Sequence, residues 1–281
     1  MDQLRNDDIS QEESEKIKYE LWSTPADADF TEAAPGRSIV AEGDSWFDYM
    51  PGFDILDHLK GTFHYEIFKV AEGGDSLENM VYGTEYGSNF SRKTPPIKTT
   101  LDAILEHKPR VFLFSGGGND FAGPELEAFL NHKSAKLGSS LREQYVDYVF
   151  GQVVPKAYTD LIAAVRQAKP DIGIVFHGYG YPVPDGRSVK ILGFRFSGPW
   201  LRPALTKKNY IEASEAKQIM VDLVDRFNVA IAAVANAHQN VRYIDLRSTI
   251  SDGDWVNELH LKNSAYARVA AEFDAAIRLF M

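Results

Sequence analysis

Five short apolar runs, separated by longer stretches of helical period, organise this chain. Ser38-Ile39-Val40-Ala41 stops at Glu42-Gly43-Asp44, as a buried strand stops before a turn. Comparable runs follow at residues 66–71, 111–115, 172–177 and 241–246. Between them, Ile97, Leu101, Ile104 and Leu105 share one helical face, and Pro109 ends that helix. Val149, Val153, Ala157, Leu161 and Val165 mark a second helix, closed by Pro170. Ile219, Leu223, Val224 and Phe227 continue at helical steps. Tyr266, Val269, Ala270, Phe273 and Ile277 make the last helix amphipathic, with Asn263 or Ser264 as its expected cap.

Strands alternating with helices predict right-handed βαβ units and a mostly parallel sheet covered by helices on both faces. In such sheets ligands bind beyond the carboxyl ends of the strands, so chemical motifs are expected just after the apolar runs. Residues 1–35 are polar and end in Ala-Pro-Gly, which reads as a tail ahead of one domain over 36–281. Two stretches, 120–145 and 179–212, are long for plain connections and follow the third and fourth runs. They are expected to shape a cleft or lid on the site side.

Composition narrows the function classes. The 281 residues carry 30 basic and 40 acidic side chains, a formal charge of -10, which argues against a nucleic-acid or anionic-membrane partner. Cysteine is absent, excluding disulfides, thiolate metal sites and thiol nucleophiles. No histidine pair has ligand spacing on a helix and the carboxylates are scattered, so neither a metal nor another cofactor is expected. The acidic N-terminus lacks a basic start and an apolar stretch, and no run reaches membrane-spanning length. A cytoplasmic location without membrane insertion is the expectation; the oligomeric state is not legible.

The candidate chemistry lies in four blocks. Gly43-Asp44-Ser45-Trp46 follows the first run, Gly73-Gly74-Asp75-Ser76 the second, and Gly116-Gly117-Gly118-Asn119-Asp120 the third. Asp254-Trp255-Val256-Asn257-Glu258-Leu259-His260 precedes the last helix. Each has an ordinary reading: Gly-Asp-Ser is a common turn and cap sequence, paired glycines a flexible turn, and asparagine a turn residue. The triple glycine is not followed by Gly-Lys-Ser/Thr, so a phosphate loop is not indicated. Of seven histidines, only His260 sits in a loop before the last helix. His177 ends the fourth run and is a candidate substrate contact.

In order and placement the four blocks resemble those of the SGNH (GDSL-type) hydrolase superfamily, in a variant whose first block reads Gly-Asp-Ser-Trp. The resemblance spans roughly residues 38–275. It implies a flavodoxin-like three-layer α/β/α sandwich with a five-stranded parallel sheet. It also implies Ser45 as nucleophile and His260 as its base, with Ser45 N–H, Gly74 N–H and the Asn119 amide holding the oxyanion. The activity implied is hydrolysis of small-molecule or glycan carboxylic esters. One position departs from the pattern: Asn257 stands where the family has an aspartate three residues before the histidine. Asn257, Asp254, Glu258 or a backbone carbonyl remain open as the group that orients His260, with Asn257 or a carbonyl favoured.

The departure keeps a weakly active glycan- or acyl-binding protein in play, beside an acyl transferase using the same serine and a flavodoxin-like cofactor protein. Trp46 and the aromatics of the second insertion (Tyr179, Tyr181, Phe194, Phe196, Trp200) either contact substrate or hold the insertion together.

Overall fold

The computed structural model describes residues 38–50, 52–191 and 194–281. The tail expected over residues 1–35 lies outside them. Each apolar run yields a strand: β1 (Ser38–Gly43), β2 (Glu66–Lys69), β3 (Val111–Ser115) and β4 (Gly173–His177). A short antiparallel hairpin, β5 (Val189–Ile191) and β6 (Phe194–Ser197), precedes β7 (Val241–Ile244). The main sheet has the order β2-β1-β3-β4-β7, and every neighbouring pair is parallel. Both faces are covered, so β3 and β4 are buried at every position. Continuous apolar runs, rather than alternating ones, follow from that double burial.

The helices are α1 (Ile55–Gly61), α2 (Leu77–Tyr82), α3 (Pro96–His107), α4 (Leu126–Phe129), α5 (Glu143–Tyr148) and α6 (Val154–Ala168). They continue with α7 (Arg202–Lys207), α8 (Ala213–Ala237) and α9 (Asn263–Ile277). Helices α1 and α9 pack together on one side of the sheet, while α3, α6 and α8 form the layer on the other. This is the expected α/β/α sandwich.

Three local expectations need correction. Leu105 is 57% exposed, because α3 turns only Thr100 and Ile104 fully inward. The helix expected from Val149 is continuous only from Val154, with a π turn over Val149–Val153. Pro155 has no N–H for the carbonyl of Gly151 four residues back, and its ring crowds that carbonyl, so the ladder slips to the wider π spacing. At the start of α9, Lys262 occupies the cap position without a side-chain bond. Asn263 instead accepts a 2.6 Å hydrogen bond from His58 Nε2, tying α9 to α1.

The strand order reverses between β1 and β3, the topological switch point where such sheets open a crevice. At that point β1 and β3 run very close. A Cβ on Gly43 would lie 2.6 Å from the Ser115 carbonyl oxygen, so glycine serves close approach here rather than the turn expected from sequence.

Candidate functional site

Ser45 lies two residues beyond β1, on a turn pinned from both sides. Asp44 N–H donates to the Ser115 carbonyl at 2.9 Å, and Trp46 N–H to Asp44 Oδ1 at 3.0 Å. The loop before α9 brings His260 across the switch point, and its Nε2 lies 2.8 Å from Ser45 Oγ. On the far side of the ring, Nδ1 is 3.0 Å from Asn257 Oδ1.

The protonation of that chain follows from counting hydrogens. Asn257 Oδ1 also accepts the N–H groups of Leu259 at 3.0 Å and His260 at 2.9 Å. Two backbone donors identify that atom as the oxygen of the amide, because the NH2 end cannot accept. An acceptor facing Nδ1 requires Nδ1 to carry the ring proton. Nε2 is then a free lone pair, correctly aimed to take the Ser45 proton. Burial holds the His260 pKa down, to about 3, so the ring stays neutral. Tyr49 stacks on it with ring centroids 4.1 Å apart, and Trp200 meets it edge-on at 5.4 Å.

Neither other acid of the block reaches the imidazole. Asp254 pairs with Arg268 at 2.8 Å and caps its own short turn through Ser251. Glu258 is fully buried and accepts four backbone N–H groups, from Gly186, Trp200, Leu201 and Arg202, at 2.6–2.9 Å. It anchors the second insertion to the block that carries the histidine.

Around Ser45, two backbone donors stand open while their neighbours are used. Gly73 N–H bonds Asp48 and Asp75 N–H bonds Glu72. Among the described residues, neither Gly74 N–H nor Ser45 N–H donates to a protein acceptor. Gly74 has φ +93°, a left-handed conformation that leaves open space where a side chain would stand. Asn119 Nδ2 spends one hydrogen on the Asp75 carbonyl at 2.8 Å, which fixes the amide against the Gly74 turn and leaves its second hydrogen free. Ser45, Gly74, Asn119 and His260 line one cleft, so the four residues expected from sequence come together.

Two cavities meet at Ser45, Asn119 and Leu259. One, of about 40 Å³, is apolar and walled by Trp46, Phe121, Tyr179, Met220, Val224 and Trp255. The other, of about 400 Å³, is bordered by Asp48, Tyr49, Glu72, Ser197 and Trp200 and also takes in Gly74 and His260. Both insertions contribute: 120–145 supplies Phe121 to the small cavity, and 179–212 supplies Val189, Ser197 and Trp200 to the large one. Tyr179 and Tyr181 bond to Asp44 and Asp225, and the side chains of Phe194 and Phe196 lie outside the described residues.

Trp46 lines the small cavity, with its indole N–H on the Leu259 carbonyl at 3.0 Å. His177 is placed differently from the expectation. It is fully buried beneath Trp46, with ring centroids 5.1 Å apart, and presents no surface to a ligand. Its Nδ1 faces the Gly178 carbonyl at 2.8 Å and its Nε2 faces Ser115 Oγ at 2.9 Å, while that hydroxyl also lies 2.7 Å from Asp44 Oδ1. Ser115 donates its hydroxyl hydrogen to Asp44 Oδ1. Burial pushes the Asp44 carboxyl up, against the pull of its three hydrogen-bond donors, and the His177 ring down to about 4. Tyr179 donates to the other Asp44 oxygen at 2.6 Å, completing a hydrogen-bonded network behind the serine.

Comparison with known proteins adds the family. The model of the GDSL-like lipase/acylhydrolase family matches residues 81–268, two thirds of the chain. The chain belongs to that family. The matched span includes Asn119, Asn257 and His260, whereas Ser45 and Gly74 precede it. Among solved structures, an extracellular lipase from Streptomyces rimosus superposes with a TM-score of 0.54 at 14% identity, over 85% of this chain and 99% of that one. A family 3 carbohydrate esterase from Clostridium thermocellum gives a TM-score of 0.47 at 14% identity, over 87% and 98% of the two chains. No curated protein sequence matches. At this identity the lipase likeness concerns the fold alone.

Proposed function

We propose that this member of the GDSL-like family hydrolyses carboxylic esters through a covalent acyl-serine intermediate on Ser45. The observation that carries the reading is the Ser45 Oγ–His260 Nε2 contact of 2.8 Å, with the tautomer fixed by Asn257. His260 Nε2 takes the serine proton as Oγ attacks the ester carbonyl. The oxygen that becomes negative is held by Ser45 N–H, Gly74 N–H and the free Asn119 hydrogen. Such fixed donors contribute about 3–4 kcal/mol each when they meet charge that develops in the transition state. His260 then returns the proton to the leaving alcohol. Water, deprotonated by the same nitrogen, releases the acid.

Asn257 orients the ring in this scheme without supplying charge. The imidazolium formed in the transition state is therefore less stabilised than beside a carboxylate, which predicts a modest turnover rather than none. The test is hydrolysis of p-nitrophenyl acetate by the wild type, Ser45→Ala and His260→Ala. Turnover is expected to fall by about 10⁴-fold or more in both variants. A Ser45→Ala protein as active as wild type would remove the basis of the proposal.

A further inference from the structure

The two cavities differ in size, polarity and position relative to His260, and that difference selects a substrate. This deepens the ester-hydrolase reading and rests on it. In the tetrahedral intermediate four groups leave the former carbonyl carbon. Ser45 Oγ and the oxyanion have their places. The leaving alcohol must lie within proton-transfer reach of His260 Nε2, and the acyl chain takes the remaining direction. His260 borders only the large cavity, so the alcohol points there, and the apolar cavity behind Ser45 and Asn119 is left for the acyl chain.

We infer that this enzyme is specific for short acyl groups, of about two to four carbons, because the acyl cavity measures only about 40 Å³ against about 400 Å³ on the alcohol side. Its walls are not loose side chains that can swing aside. Met220 and Val224 are each 1% exposed, on consecutive turns of the 25-residue helix α8, and form the far wall. Trp255 is 2% exposed and Trp46 3%, the latter wedged between His177, Tyr179, Trp255 and Tyr266. A longer chain that continued inward would meet a packed aromatic cluster and helix α8, the longest among the described residues. The large cavity sets no comparable limit on the alcohol. Met220 and Val224 are thus specificity-determining residues some 175 positions from the serine in sequence.

The experiment is a chain-length series of p-nitrophenyl esters, acetate, butyrate, hexanoate and octanoate, on the wild type, Met220→Ala, Val224→Ala and the volume-conserving Met220→Leu. Folding of each variant is checked by circular dichroism. The wild type is expected to favour acetate over octanoate in kcat/KM by about 100-fold or more, since one methylene in a tight apolar pocket is worth about 10-fold upward. Met220→Ala or Val224→Ala is expected to shift that ratio toward the longer esters by about tenfold, while Met220→Leu leaves it near the wild-type value. Equal use of acetate and octanoate by the wild type would overturn the inference while leaving the esterase reading intact. Failure to cleave any ester of the series, with no Ser45 dependence, would overturn both. An unchanged ratio in two folded alanine variants would show that these residues do not set the limit.

Discussion

At the scale of single residues, Asn257 is the position that departs from the family pattern, and in the proposed mechanism it orients His260. Its oxygen accepts three N–H groups and its amide nitrogen reaches the Tyr49 hydroxyl at 3.3 Å, so the side chain is held from both ends. Replacement by aspartate keeps the three acceptor contacts and adds a charge next to Nδ1. The His260 ring, now held at about 3 by burial, would gain a partner for its protonated form. The sign follows: a raised pKa means that the base is lost to protonation at a higher pH. Asn257→Asp is expected to move the acid limb of the kcat/KM profile upward by about one pH unit or more. At pH 8, where the ring is neutral in both proteins, kcat is expected to rise roughly tenfold, the difference between a neutral and a charge-assisted hydrogen bond. Coincident pH–rate profiles for the two proteins would show that residue 257 does not address the imidazole.

At the scale of elements, one carboxylate joins the second insertion to the block that carries His260. Glu258 gathers four backbone N–H groups from residues 186 and 200–202, and Trp200 in that segment borders His260. Glu258→Gln puts an amide NH2 against two of those donors. Two buried N–H groups left without acceptors cost about 2–6 kcal/mol together. Urea unfolding is expected to show a loss of that size, and hydrogen exchange should quicken first at residues 200–202. Wild-type stability with unchanged exchange would remove the anchoring role. The sequence offered Glu258 only as an alternative partner for His260, because its true partners lie 56–72 residues away and are backbone groups that no motif encodes. The strands, by contrast, were legible because burial on both faces writes a continuous apolar run. Helix α3 was legible in extent but not in facing, since Leu105 lies on its helical stripe and still points to solvent. His177 shows the same limit: its place at a strand end is readable, but the ring stack that buries it is not.

At the scale of the molecule, the switch point between β1 and β3 explains why four distant blocks make one site. Ser45 and Asn119 leave the two strands that flank it, Gly74 leaves the edge neighbour, and His260 arrives from the loop after β7. Their order along the chain was enough to indicate the family, and the strand sequence supplies the physical reason. What the sequence could not carry was the shape of the space between them. The division into a small apolar cavity and a large one of mixed polarity depends on side chains from α8, the two insertions and the block before α9. Tyr49, Met220 and Leu259 belong to that surround, and none stands out from its neighbours in sequence.

The central claim is that Ser45 carries the acyl group. Its most direct test is the intact mass, followed by peptide mapping, of protein treated with a small fluorophosphonate, which traps a serine activated by a neutral imidazole. A single adduct on Ser45 is expected in the wild type, with labelling abolished in Ser45→Ala and strongly slowed in His260→Ala. Labelling of another residue, or equal labelling of wild type and Ser45→Ala, would contradict the account.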